Sequence, residues 1–210
     1  MFSPYLGKEY TINDIEEAIK RFNKEIVVQL CENVFKKAAS LISEGKIIGW
    51  YQGRAECGPR ALGNRSILAD PRDGTMKDRL NACVKFREMF RPFAPSVLWE
   101  YQREYFDLDI PSPYMLMVSD ILENKQHLIP AVTHVDGTGR LQTVMKELNP
   151  RFYNLILEFK NITGIPIVLN TSFNIRGEPI VETPSDAIKC FLGTGIDELF
   201  IGNFYIQKNK

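Results

Sequence analysis

The sequence lacks several features that would place it in a familiar class of protein. Its 210 residues include 26 basic and 26 acidic side chains and carry no net charge, whereas a dedicated nucleic-acid-binding domain is usually strongly basic. It has no apolar run near the roughly 20 residues of a transmembrane helix, and its start lacks the basic and apolar regions of a signal peptide. We therefore expect an intracellular, cytoplasmic protein that acts on neither membranes nor nucleic acid.

Common motifs for metals, nucleotides and nucleophilic catalysis are also missing. The four cysteines are scattered without a Cys-x-x-Cys pair, and the histidines, His127 and His134, have no nearby acidic triad, so we predict reduced thiols and no metal site. There is no glycine-rich loop ending in Lys-Ser or Lys-Thr, no Gly-x-Gly-x-x-Gly string and no Gly-x-Ser-x-Gly string. The sequence thus gives no support for a P-loop, a dinucleotide fingerprint or a serine nucleophile.

Short β-type runs alternate with helical patterns along the chain, as is typical of an α/β fold. Helices are predicted at 15–22, 34–41, 76–84, 151–162 and 184–195. Strands are predicted at 25–30, 47–51, 66–69, 96–99, 114–118, 131–135, 140–144, 167–169, 199–201 and 204–206, with 136–139 as a hairpin turn and the last two strands as a closing hairpin. One hydrophobic core suffices at this length, so we predict a single domain over 1–210 with a mixed sheet flanked by helices.

The most informative stretch runs from residue 53 to 66 and is named here the arginine-glycine loop. It combines three glycines and a proline with Arg54, Arg60 and Arg65, so backbone amides can approach a ligand closely while guanidinium groups are held in place. Segment 54–91 contains nine basic and five acidic residues. We interpret this local excess of positive charge as an anion-binding site.

Two further polar clusters are candidates for the same site. Lys85 and Arg87 alternate in a segment that ends at Arg91, and alternate residues of an extended chain share a face. Ser172 and Asn174 follow an apolar strand, at the kind of strand end where α/β sheets hold ligands. Each cluster alone also fits an ordinary structure, which is a solvated basic helix end in the first case and a polar turn in the second.

Four strings of the sequence are unusual enough to indicate a family. They are Gly-Pro-Arg-Ala-Leu-Gly-Asn-Arg-Ser-Ile-Leu-Ala-Asp-Pro-Arg from Gly58, Arg-Pro-Phe-Ala-Pro-Ser-Val from Arg91, His-Val-Asp-Gly from His134 and Asn-Thr-Ser-Phe-Asn from Asn170. Together they resemble the C-terminal domain of the NodU/CmcH carbamoyltransferase family. That domain is similar to the YrdC fold, whose Lys-x-Arg and Ser-x-Asn elements match the two clusters. The resemblance implies a YrdC-like α/β fold, a twisted mixed β-sheet flanked by helices.

The resemblance also implies a chemistry. In this family, carbamoyl phosphate and ATP, with Mg²⁺, form carbamoyl-adenylate, and the carbamoyl group passes to a hydroxyl of a small molecule. The transfer takes place at an N-terminal actin-like ATPase domain, which we expect this chain to lack. Such a reaction is accelerated when the protein positions the reactants and neutralises the charge of their phosphates, so no protein nucleophile is needed.

The matching positions give each candidate residue an expected role. The expected catalytic residues are Lys85, Arg60 and Ser172. The residues expected to bind carbamoyl phosphate are Arg60, Lys85, Arg87, Arg91, Ser172 and Asn174. The residues expected to contact ATP are Arg140, Thr171 and Arg65. No residue is expected to bind a metal directly.

Two other functions stay open on the sequence alone. The basic excess of segment 54–91 is compatible with an RNA-binding module, whose affinity would fall steeply with salt. The fold is also shared by enzymes that adenylate a threonine-derived carbamate for transfer RNA modification. A requirement for bicarbonate and threonine would identify that second enzyme.

Overall fold

The computed structural model describes residues 2–86, 88 and 91–209. The α-helices in this part of the chain are α1 (Ile12–Arg21), α2 (Val34–Ser43), α3 (Met76–Leu80), α4 (Gln102–Tyr105), α5 (Glu123–Gln126), α6 (Pro150–Thr163) and α7 (Pro184–Leu192). The strands are β1 (Ile26–Leu30), β2 (Ile48–Tyr51), β3 (Arg65–Ala69), β4 (Ala94–Leu98), β5 (Val118–Asp120), β6 (Thr138–Arg140), β7 (Gln142–Val144), β8 (Ile167–Ser172), β9 (Glu198–Ile201) and β10 (Phe204–Lys208). None of the described helices combines the length and the apolar character needed to cross a membrane.

Local sequence sets the ends of the longer helices. Helices α1 and α7 begin with a reciprocal cap, in which the hydroxyls of Thr11 and Thr183 accept from the backbone N–H of Asp14 and Asp186. The two carboxylates in turn accept from the threonine N–H groups. Helix α6 ends at Gly164, whose φ of +78° lies in the left-handed region that favours glycine.

Eight of the strands form one large sheet in the order β1-β10-β9-β2-β3-β8-β4-β7. Strand β2 pairs with β9, and β4 with β7, in parallel, while the other neighbours are antiparallel. Strands β5 and β6 form a separate two-stranded antiparallel sheet. The mixed sheet predicted from the sequence is confirmed.

Helices cover both faces of the large sheet. Successive strand residues point to opposite faces, and on β2 the ring of Trp50 lies against Phe35 of α2, with centroids 6.4 Å apart. The next residue, Tyr51, donates its hydroxyl to the backbone carbonyl of Glu182, just before α7, at 2.7 Å. Helix α2 packs against α6, and α1 packs against α7. The sheet is therefore held between two helical layers.

The register of the sheet brings three distant segments together. Ser66 of β3 lies opposite Ser172 of β8, and Ala94 of β4 lies opposite Asn170, both in antiparallel pairs. The C-terminal end of β8 therefore lies beside the N-terminal ends of β3 and β4. The arginine-glycine loop leads into β3, so it meets the end of β8 and the segment before β4 at one end of the sheet.

Two predicted strands were wrong. The run at 114–118 is irregular, with β5 beginning only at its last residue, and the run at 131–135 starts with a 3₁₀ turn over Pro130–Val132. Of the predicted turn at 136–139, residues 138 and 139 belong to β6, which pairs with β5 rather than with the preceding run. Ala131 and Val132 are buried within the turn, so their apolar character reflects burial rather than strand formation.

The segment around Lys85 also differs from the prediction. Helix α3 ends at Leu80, and a π-helical turn over Asn81–Lys85 continues it to Phe86, whose φ is +47°. Lys85 thus lies at a helix end and not in the extended segment that would place it on one face with Arg87. Arg87 itself lies outside the described residues. Single π-turns occur frequently at functional sites.

Candidate active site

A narrow cleft of about 100 Å³ opens where the three segments meet. Its lining includes Arg60 from the arginine-glycine loop, Arg140 from the end of β6, and Asn170, Thr171 and Ser172 from the end of β8. Four of these five residues were predicted site residues. The fold thus brings them together although they come from widely separated parts of the chain.

Arg60 and Arg140 give the cleft its charge. Neither guanidinium group hydrogen-bonds or ion-pairs with any residue that the structure describes, and the Nε atom of each is buried without a partner there. Burial, followed by the nearby charge of Arg60, lowers the pKa of Arg140. Since arginine stays protonated in proteins, two cations face each other here, and an anion between them would relieve their repulsion.

The floor of the cleft is a network of buried amides and a hydroxyl. Asn170 donates through Nδ2 to the Ser96 hydroxyl at 3.0 Å, to Oε1 of Gln142 at 3.0 Å and to the carbonyl of Ala61 at 3.2 Å. Gln142 donates in turn to the carbonyl of Leu62 at 2.8 Å. These bonds tie the arginine-glycine loop to β8. Oδ1 of Asn170 has no hydrogen-bond donor among the described residues.

Lys85 is buried and holds the loop that follows β8. It is only 5% exposed, and its Nζ donates to the carbonyls of Ser172 and Asn174, to the Ser172 hydroxyl at 3.2 Å and to Oδ1 of Asn174 at 2.8 Å. The Ser172 hydroxyl donates to the same Oδ1 at 2.6 Å. The predicted trio of Lys85, Ser172 and Asn174 is therefore assembled. In this geometry Lys85 is a positioning residue, because its donors are directed at the protein's own oxygens.

One carboxylate shapes the arginine-glycine loop. Oε1 of Glu56 accepts from the backbone N–H groups of Leu62 and Asn64, each at 2.7 Å, and from that of Arg65 at 3.2 Å. The loop thus curls around Glu56. Arg60 lies within this curl, so the carboxylate fixes the path of the backbone that carries Arg60 to the cleft.

Arg65 stabilises the arginine-glycine loop. It is fully buried, donates from its guanidinium group to the carbonyls of Gln52, Gly53 and Asn64 at 2.6 to 3.1 Å, and stacks over the Tyr51 ring at 3.6 Å. It does not line the cleft. These contacts give Arg65 a structural role in the loop, and its expected contact with the nucleotide stays a prediction.

Gly63 shows how closely the loop approaches the helices. Its φ is +105°, and a Cβ atom added there would lie 2.2 Å from Cδ1 of Phe152 on α6. Both the left-handed backbone and the lack of space require glycine at this position.

Arg91 does not line the cleft. Arg91 is exposed and forms an ion pair with Glu88 at 3.2 Å, and it is absent from the described lining of the cleft. Arg87 lies outside the described residues, so its role stays a prediction.

Two functional residues, Glu56 and Asn170, were missed in the sequence. Glu56 is the one acidic residue in a loop with three arginines, which signals a carboxylate with a structural task. Asn170 ends an apolar strand, and a buried amide must find hydrogen-bond partners. Both signals are visible in the sequence, but neither shows which hydrogen-bonding groups the fold places near these two side chains.

Comparisons with known proteins agree with the geometry. The family model described as carbamoyltransferase C-terminus matches residues 39–208. Nodulation protein NolNO of Sinorhizobium fredii is 48% identical over 99% of this chain and 30% of its own length. A 3'-hydroxymethylcephem-O-carbamoyltransferase of Amycolatopsis lactamdurans is 38% identical over 80% of this chain and 32% of its own length. The chain spans about a third of the length of the curated relatives that it matches.

Two solved structures share the fold. Full-length HypF in a phosphate- and nucleotide-bound form has a TM-score of 0.55 at 18% identity, over 88% of this chain and 22% of that chain. P. abyssi Sua5 complexed with L-threonine has a TM-score of 0.56 at 19% identity, over 80% of this chain and 46% of that chain. At these identities the likeness concerns the fold alone, and it confirms the YrdC-like architecture predicted above.

Proposed function

Since the chain belongs to the carbamoyltransferase C-terminus family, we propose that it is a module that binds carbamoyl phosphate and ATP and forms carbamoyl-adenylate. The observation that carries this proposal is the pair of arginines, Arg60 and Arg140, which face one cleft without any described anionic partner. Two converging guanidinium groups suit a phosphorylated ligand.

In the proposed reaction, water cleaves carbamoyl phosphate into carbamate and inorganic phosphate. A carbamate oxygen then attacks the α-phosphorus of ATP, the bond to the bridging oxygen breaks, and pyrophosphate leaves. Arg60 and Arg140 neutralise phosphate charge, while Thr171 and Ser172 contact the bound groups. Lys85 and Asn174 keep Ser172 in position. Such a reaction is accelerated by positioning and electrostatic stabilisation rather than by a protein nucleophile.

The residues around the cleft do not fit a protein-bound magnesium ion. The described lining contains no carboxylate, and the described residues include no group of three or more His, Cys, Asp or Glu that could hold a metal ion, whereas Mg²⁺ is usually bound through one or two carboxylates. We therefore assign no step to a metal held by this chain. Mg²⁺ that accompanies ATP belongs to that substrate.

The relatives suggest the fate of the carbamoyl group. One is a cephem O-carbamoyltransferase, so we propose a small-molecule hydroxyl as the final acceptor. We further propose that transfer takes place at an actin-like ATPase domain with which this module works. The cytoplasm is the proposed location, and the four cysteines are unpaired, as a reducing compartment would keep them.

Calorimetry with carbamoyl phosphate tests the site. Arg60→Ala and Arg140→Ala should each weaken binding by roughly 10- to 150-fold, because a charge-assisted hydrogen bond contributes about 1.5–3 kcal/mol. Arg21→Ala is the matched control, since Arg21 is exposed on α1 and ion-paired only with Glu17. Unchanged affinity in both cleft variants would refute the proposed anion site.

Product analysis tests the reaction. With ATP and carbamoyl phosphate, the protein should release pyrophosphate and phosphate in equal amounts, and Arg60→Ala should abolish this release. The likeness to Sua5 makes bicarbonate with L-threonine the rival substrates. Pyrophosphate release that requires threonine and bicarbonate, and ignores carbamoyl phosphate, would contradict the proposal. Binding of RNA with a steep salt dependence would instead favour the RNA-binding alternative.

A further inference from the structure

A second pocket adjoins the cleft and is not part of the candidate active site. It has a volume of about 300 Å³ and is lined by Lys77, Pro92, His134, Val135 and Asp136. We name it the distal pocket. Pro92 lines both the cleft and the distal pocket, so the two are neighbours across one residue.

The cleft is too small for a complete nucleotide. Its volume of about 100 Å³ lies below the roughly 300–1,000 Å³ of typical small-molecule sites. A ligand that contains both a carbamoyl-sized group and several phosphates must therefore extend beyond it. The distal pocket offers this space, because it shares Pro92 with the cleft that Arg140 lines.

The hydrogen bonds of the 134–138 turn fix the state of the His134 ring. The Thr138 hydroxyl donates to Oδ1 of Asp136 at 2.8 Å, because a carboxylate can only accept. The contact of 3.0 Å between that hydroxyl and Nδ1 of His134 must then use a proton on Nδ1. The other nitrogen, Nε2, has no hydrogen-bond partner among the described residues and remains for a ligand.

The charges around the pocket favour an anion at its cationic side. The ammonium group of Lys77 forms no hydrogen bond or ion pair with any described residue. Arg140 stands on the side of the cleft, and Asp136 is the opposing charge, with one oxygen already accepting from Thr138. Burial lowers the pKa of His134, Asp136 raises it, and Arg140 and Lys77 lower it further. His134 is therefore surrounded by two cations and one anion.

We propose that the distal pocket binds the pyrophosphate end of ATP through Lys77 and Nε2 of His134, with Arg140 in the adjoining cleft. The biological meaning of this inference rests on the proposed function, but its binding test does not depend on that function. The described lining contains no Phe, Tyr or Trp on which an adenine could stack. Terminal phosphates therefore suit the pocket better than the nucleobase does.

Calorimetry with inorganic pyrophosphate, without carbamoyl phosphate, tests the inference. Lys77→Ala should weaken binding by about tenfold or more, as the loss of a charge-assisted contact requires. His134→Asn keeps an amide near the position of Nδ1 for Thr138 but removes Nε2, and should weaken binding by a similar factor. His134→Gln places an amide near Nε2 and should retain more affinity than His134→Asn. Lys20→Ala, an exposed change on α1, is the control.

Proton NMR gives an independent readout. His134 should titrate below the ordinary value of about 6.5 for histidine, since burial lowers its pKa. Pyrophosphate should raise this pKa, because a nearby anion favours the imidazolium form. His127, the other histidine of the chain, serves as the internal reference.

The outcomes separate the inference from the proposed function. Pyrophosphate affinity that is unchanged in both Lys77→Ala and His134→Asn overturns the distal pocket, whatever carbamoyl phosphate does. Loss of AMP affinity in these variants, with pyrophosphate binding intact, also overturns it, because the pocket would then hold the nucleoside. If the pyrophosphate results are as expected while carbamoyl phosphate fails to bind at Arg60, the distal pocket stands and the proposed function fails.

Discussion

Replacing Glu56 with alanine should destabilise the protein by loosening the arginine-glycine loop. One Glu56 oxygen accepts from the backbone N–H groups of Leu62, Asn64 and Arg65 at 2.7, 2.7 and 3.2 Å. Each part-buried donor left unpaired costs about 1–3 kcal/mol. Because the three share one oxygen and water can reach part of the loop, we expect a total loss of about 2–4 kcal/mol. Arg60, which lies inside the loop, should lose its fixed position.

Urea denaturation measures this loss, and thermal unfolding gives a second value. A chain of this size loses about 2–4 °C in Tm for each kcal/mol, so Glu56→Ala should unfold roughly 5–15 °C lower than the wild type. Glu56→Gln keeps an acceptor oxygen and should lose only about 1 kcal/mol. Glu17→Ala removes an exposed i,i+4 pair and should lose at most about 0.5 kcal/mol. If Glu56→Ala is as stable as Glu17→Ala, the loop does not depend on this carboxylate.

Two further substitutions test the supports of the site. Gly63→Ala should destabilise by about 2–5 kcal/mol in urea denaturation, because it combines a strained backbone with a Cβ atom 2.2 Å from the Phe152 ring; stability within 1 kcal/mol of the wild type would show that the loop can move away. Lys85→Met keeps most of the side-chain length but leaves the oxygens of Ser172 and Asn174 without their shared donor, so it should lose about 2–4 kcal/mol even without a ligand. A variant of full stability that only binds carbamoyl phosphate weakly would make Lys85 a direct ligand contact instead.

Much of the fold could be predicted because its signals are local. The caps at Thr11 and Thr183 and the glycine at Gly164 depend on residues within one helical turn, and the alternation of strands and helices indicates the α/β class. The runs at 114–118 and 131–135 misled because apolar residues also occupy irregular segments: Ala131 and Val132 are buried in a 3₁₀ turn, whereas Leu116 and Val135 are exposed. Strands β5 and β6 are separated in the sequence, so their pairing cannot be predicted from any short segment.

The residues of the site were easier to predict than their tasks. Arg60, Arg140 and Ser172 carry groups that suit phosphate, and they do line one cleft. Arg65 has the same side chain as Arg60, yet the fold surrounds it with backbone carbonyls. Lys85 likewise donates its hydrogen bonds to oxygen atoms of the chain itself. Whether a cation serves a ligand or the protein depends on the acceptors within its reach, and these come from distant segments.

The hydrogen bonds that build the cleft join residues that lie far apart in the sequence. Lys85 and Ser172 are 87 residues apart, Gln142 and Leu62 are 80 apart, and Asn170 and Ala61 are 109 apart. Proteins dominated by such distant contacts fold slowly, since the entropy of loop closure is lost before the contacts form. We therefore expect the cleft to form only when these distant segments have come together. Occupancy by a phosphorylated compound would then signal that the whole chain has reached its native topology.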